Sequence, residues 1–150
     1  MGKVLFYHLT RSAAEQLVPV LIARSREQGW RVELRGRDPA RLEALDRQLW
    51  AGEGFLPHGL AGGPHDARQP VLLRVAEAER AANNPDCLVA IDGAEVGEDE
   101  LAGLSRICIL FDGNDSAALD HARAQWRALT GAGAEAEYWS EESGRWQKKR

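Results

Sequence analysis

Short apolar runs alternate along this chain with amphipathic helical stretches, and that alternation leaves few architectures open. Residues 3–8 are apolar, carry Phe6 and Tyr7, and read as a buried strand. Ser12-Ala-Ala-Glu15 has the pattern of a capping box, in which Ser12 serves the amide of Glu15 and Glu15 reaches back. The helix it opens is predicted to run to about Gln28 and to stop at Gly29, a residue suited to the left-handed turn that ends helices. Pro19 falls inside it, so a kink or a restart is expected there. Residues 30–35 alternate as a strand, and Asp38-Pro39 starts a second helix. The apolar stripe of that helix (Leu42, Leu45, Leu49) repeats at the spacing of one helix face. Residues 70–75, 87–92 and 107–111 are further strand candidates, while the polar stretch 76–84 reads as a loop or a short helix. A helix over 116–129, stopped at Gly131, leads to a last strand over 134–139. Strands alternating with amphipathic helices predict an α/β fold, a Rossmann-like, mainly parallel twisted sheet with helices on both faces. With 150 residues and no repeats, one domain over 1–150 is expected.

Composition narrows the function classes. Cys87 and Cys108 lie in apolar strand-like runs and read as buried free thiols; there is no CxxC and no zinc framework. The chain enters its first strand directly, with no apolar stretch long enough for a signal peptide or a membrane span, so a cytoplasmic location is expected. The net charge of −4 repels a phosphate backbone on average and argues against direct sequence-specific nucleic-acid binding. One segment departs from that average. Residues 145–150, RWQKKR, carry four positive charges and no negative one.

Open α/β sheets bind ligands outside the carboxyl ends of their strands. Those ends offer His8 and Thr10, Gly36 and Asp38, Asp92-Gly93, and Asp112-Gly113. Neither GxGxxG nor GxxxxGK[ST] is present, so the phosphate-binding amides of a nucleotide site are lacking, and no cofactor is expected. GxSxG is absent, and none of His8, His58, His65 and His121 has a partner at metal-ligand spacing. The two Asp-Gly turns, with Asp92 and Asp112, could hold Mg²⁺ for a nucleotide- or metal-dependent enzyme that also uses Thr10. Turn chemistry explains the same residues without any ligand. No catalytic residue and no metal site is assigned, and a binding module is favoured.

Two stretches look like binding surfaces. At 100° per residue Trp50 falls to the side of the Leu42–Leu45–Leu49 stripe. Phe55, Leu56, Pro57 and His58 follow in a loop rich in Gly and Pro, within a long connection from 51 to 69. Trp, Phe, Leu and Pro gathered at a loop rim are residue types that anchor protein interfaces; the alternative is that Trp50 and Phe55 close the bottom of the core. The second stretch is the helix over 116–129, where Arg123 and Arg127 lie one turn apart along a ridge flanking Trp126, which its place on the apolar side leaves as either core or ligand-facing. Trp146 and Lys148 add an aromatic and a cation near the end of the chain. Arginine beside apolar groups suits a short acidic peptide with a hydrophobic end, because the guanidinium fork grips a carboxylate bidentately.

The run LW-x4-FLPH-x-LAG, between a helix and the strand-like PVLL, resembles the chi subunit of bacterial DNA polymerase III. The resemblance extends with gaps from Val4 to Lys148 and is most specific over 49–62. It implies that Trp50, Phe55, Leu56, Pro57 and His58 contact the psi subunit, although the family's segment between the Trp and the Phe is slightly longer. Ala122-Arg123-Ala124-Gln125-Trp126-Arg127 and Trp146-Gln147-Lys148 are similar to the family's last helix and closing residues. The resemblance therefore implies that Arg123, Trp126, Arg127, Trp146 and Lys148 bind the acidic, Phe-terminated tail of single-stranded DNA-binding protein. The expected function is a non-catalytic adaptor that joins the clamp-loader complex, through psi, to that tail.

Overall fold

A computed structural model describes residues 2–52, 56–76 and 80–150. The elements run β1 (Lys3–Leu9), α1 (Ala14–Glu27), β2 (Val32–Gly36), α2 (Pro39–Ala51), β3 (Gly59–Leu60), β4 (Val71–Val75), β5 (Cys87–Ala90), β6 (Arg106–Asp112), α3 (Ser116–Gly131), β7 (Glu135–Ser140) and β8 (Gln147–Lys148). Short 3-10 turns cover Asp66–Arg68 and Glu98–Gly103. One sheet holds the described strands in the order β3-β4-β2-β5-β6-β1-β7-β8. Every neighbouring pair is parallel except β7 and β8, so the sheet is mixed at one edge. The mainly parallel sheet expected from the alternating pattern is present. Its order is not the 3-2-1-4-5-6 of a dinucleotide-binding fold, because β1 pairs with β6 and β7 rather than with β2.

Strand side chains point alternately to the two faces. Leu5, Tyr7 and Leu9 therefore join Val18, Leu21 and Ile22 of α1 and Leu42, Leu45 and Leu49 of α2 in one apolar layer. Val4 and Phe6 join Leu88, Ile107, Ile109, Ala122 and Leu129 in the other, beneath α3. Helices thus cover both faces, and a strand such as β6 can be apolar at consecutive positions because neither face meets water. Cys87 and Cys108 are buried free thiols, as expected. Among the described residues no helix is long and apolar enough to cross a membrane.

Several local expectations are corrected. The Ser12–Glu15 capping box does not form: α1 starts at Ala14, and the Ala13 amide donates to Gln16 Oε1 at 2.8 Å. Glu141 explains the displacement. Its Oε1 accepts from the amides of Arg11 and Ser12, and Glu15 turns instead to Arg41 Nε at 2.7 Å. Helix α1 does not restart at Pro19. Proline lacks the amide that would serve the carbonyl of Glu15, and Gln48 Nε2 of α2 donates to that carbonyl at 2.7 Å instead. Asp38 and Gly29 behave as the sequence predicts, with Asp38 Oδ1 accepting from the Ala40 amide and Gly29 at φ +78°. Asp115, one residue ahead of the expected helix start, caps α3 by accepting from the amides of Ala117 and Ala118. Strand β3 and strand β8 were not expected. Of the stretch 76–84, residues 77–79 lie outside the described residues, and 80–84 form no helix.

Candidate interaction surfaces

Helix α2 ends with Leu49 in the core and Trp50 outside it, 51% exposed. The off-stripe position thus presents the indole at the end of the sheet where β3 lies. Its support is His58, whose ring centroid lies 4.1 Å from that of Trp50 at an interplanar angle of 34°. His58 is buried. Its Nδ1 is 2.7 Å from the Leu56 carbonyl, and its Nε2 is 3.1 Å from the Asp46 carbonyl and 3.2 Å from Asp46 Oδ1. Both ring nitrogens are thus engaged within the fold, tying the loop to α2. His58 was expected to touch a partner; the geometry makes it the seat of Trp50. Leu56 packs on the core while Pro57 is exposed, and Leu60 of β3 adds an exposed apolar side chain. Phe55, expected in the same surface, lies outside the described residues.

The second expected surface is only partly assembled. Trp126 packs edge-on against Phe6 at 5.2 Å and lies 6.1 Å from Tyr138, so it is partly core. Arg123 is exposed and pairs with Asp120, at 3.8 Å along the helix; Arg127 is exposed one turn further on. Trp146 is not beside them. It packs edge-on against Tyr7 at 5.4 Å, in the layer of α1 and α2. Lys148 Nζ lies 3.4 Å from Glu137 Oε2, which also takes Lys3 Nζ at 2.9 Å. The Lys3 hydrogen bond holds the Glu137 carboxyl below the usual carboxylate range, against a smaller effect of burial. The grouping of Trp146 and Lys148 with Arg123 is therefore corrected, and the two-residue period of a strand is the reason.

Arg123 instead borders an open groove of about 890 Å³ at the carboxyl ends of β1 and β7. Arg11 and Lys149 share it, with Leu119, Tyr138 and, among the described residues, a single carboxylate, Glu142. At its base His8 stacks on Phe111 at 5.3 Å, and Tyr138 Oη is 2.9 Å from His8 Nδ1. Burial pushes the Tyr138 phenol up, which keeps it neutral. The imidazole occupies the space beside Gly113, where an added Cβ would lie 1.9 Å from His8 Nε2. Any larger residue there would have to displace the His8 ring. Arg150 lies over Trp126, its guanidinium carbon 5.2 Å from the ring centroid. The sequence reading missed Arg11, Tyr138 and Lys149. The alternation of residues 146–149 carried the signal for Lys149, but only once β8 is known to pair with β7.

The Asp residues of the alternative enzyme reading line one cleft, of about 680 Å³, together with Thr10. Asp92 ties its turn to the start of α2, and Asp112 serves its own turn. Asp92 accepts from the Asp38 amide at 3.0 Å and pairs with Arg41 at 3.2 Å, while Asp112 Oδ1 accepts from the Asn114 amide at 2.9 Å. Among the described residues no group of three or more His, Cys, Asp or Glu side chains could hold a metal ion.

Comparison with known proteins adds one finding. A family model described as DNA polymerase III chi subunit, HolC, matches residues 1–137. No curated protein matches the chain.

Proposed function

The chain belongs to the DNA polymerase III chi subunit family, a family of non-catalytic accessory subunits, and from that premise we propose that it is a two-sided adaptor. The Trp50 corner, with Phe55, Leu56 and Pro57, docks on the psi subunit and through it on the clamp-loader complex. Arg123, Trp126 and Arg127 hold the acidic carboxyl-terminal tail of single-stranded DNA-binding protein.

The observation that supports this reading is the separation of the two surfaces along one sheet. The Trp50 corner adjoins β3 and the basic groove adjoins β7. Six interstrand steps separate these strands, about 29 Å at a spacing near 4.8 Å. Two partners on opposite edges do not collide, and neither contact needs to be strong. Linking them converts the second binding event into an intramolecular one governed by effective concentration. The charge distribution fits as well: a chain of net charge −4 gathers Arg11, Arg123 and Lys149 around one groove in which, among the described residues, Glu142 is the single carboxylate.

The test is a ternary complex. The chain, psi and a labelled acidic, Phe-terminated peptide should elute together, with the peptide's affinity unchanged by saturating psi. Competition between psi and the peptide would defeat the two-sided reading, and so would failure of either to bind.

A further inference from the structure

We propose that residues 145–150 complete the groove for the acidic peptide, with Lys149 and Arg11 as the cations that face Arg123 across it. This rests on the acidic-peptide reading above and adds the residues that set its charge. The antiparallel register Trp139↔Lys148 and Ser140↔Gln147 places Lys149 opposite Tyr138. The Lys149 amide donates to the Tyr138 carbonyl at 2.6 Å, and the Tyr138 amide to the Arg150 carbonyl at 3.2 Å. Because side chains alternate along a strand, Lys149 emerges beside Tyr138 in the groove while Lys148 emerges on the other face, held by Glu137. The segment RWQKKR thus delivers neighbouring lysines to opposite sides of the sheet.

The turn between β7 and β8 positions Arg11 as well. Buried Glu141 accepts from the amides of Arg11 and Ser12, and Arg11 Nη2 donates to the Glu142 carbonyl at 3.1 Å. One short turn therefore fixes the arginine on one wall and starts the strand that carries the lysine. Neither Arg11 nor Lys149 has an ion-pair partner among the described residues, so both charges remain available to a ligand. Leu119 and Tyr138 provide the apolar surface for a hydrophobic peptide end. Lys149 lies beyond residue 137, where the family match ends, so this charge belongs to the part of the chain that the match does not cover.

Fluorescence anisotropy of a labelled acidic, Phe-terminated peptide, titrated with the full chain at physiological salt, tests the assignment. Lys149→Ala and Arg11→Ala should each weaken binding about threefold, and Lys149→Glu about tenfold, as expected for removing or reversing a rim charge. Lys148→Ala, one residue away but on the other face, should change affinity by less than about 1.5-fold on the same scale. Melting temperatures of all variants should match the unaltered chain. If Lys148→Ala and Lys149→Ala weaken binding equally, the register argument fails. If Arg123→Glu weakens binding while the Lys149 and Arg11 variants do not, the acidic-peptide reading stands and this assignment is overturned. Absence of saturable binding to the unaltered chain overturns both.

Discussion

The indole of Trp50 rests on the imidazole of His58 with ring centroids 4.1 Å apart, and the two residues differ sharply in exposure: Trp50 is 51% exposed and His58 3%. One presents a surface and the other holds it in place.

That division separates two substitutions. Trp50→Ala should weaken psi binding by about 2 kcal/mol, the scale of an aromatic interface anchor, and leave the melting temperature nearly unchanged. His58→Ala removes a buried ring with both nitrogens engaged and should destabilise the fold by about 2 kcal/mol. Calorimetric titration with psi and thermal melts of both variants decide it. If Trp50→Ala unfolds the protein as readily as His58→Ala does, the corner is core.

Charges buried in β2 and β4 make a second prediction. Glu33 Oε2 accepts from Arg35 Nε at 2.7 Å and from Arg74 Nη1 at 2.8 Å, and Arg35 Nη2 donates to Glu100 Oε2 at 2.6 Å. Removing one member leaves the others buried with incomplete partners. Arg35→Ala should therefore cost about 3 kcal/mol in urea unfolding. A loss below about 1 kcal/mol, the scale of an exposed pair, would show that water reaches the cluster.

Acid should release part of the same network. Burial works to raise the Glu100 carboxyl, but hydrogen bonds from Arg35 and the Gly97 amide outweigh it and hold the group below its ordinary 4.5. At Glu15, burial is likewise outweighed by Arg41. A carboxyl depressed in the folded state contributes its full stability above its unfolded value and loses it as pH falls through the folded one. Urea midpoints should thus change little between neutrality and pH 5 on account of these groups, and fall below about pH 4.5. Glu100→Gln should lower stability at neutral pH and make the acid limb shallower. An unchanged limb in that variant would assign the acid sensitivity elsewhere.

Gln48 and Pro19 should be coupled. Gln48→Ala leaves the Glu15 carbonyl without the donor that replaces the missing proline amide, a loss of about 1 kcal/mol. In a Pro19→Ala background the restored amide can serve that carbonyl, so the same Gln48 substitution should cost less. A double-mutant cycle measures the difference, and strict additivity would refute the exchange of donors.

Local chemistry made much of this protein legible in its residues. The α/β class, the helix cap at Asp38, the left-handed stop at Gly29 and the inward stripe of α2 all rest on periodicities and backbone preferences that act within a few residues. The outward position of Trp50 follows from the same helical period. Tertiary structure alone decided the rest, because those features depend on which strands become neighbours. The capping of α1 passed from Ser12 to Gln16 because Glu141, distant in sequence, took the amides of Arg11 and Ser12. His58 became a support because Asp46 lay within reach of its ring. Lys149 rather than Lys148 joined Arg123 because a two-residue strand paired with β7 in one register, and a shift of one residue would have exchanged their faces.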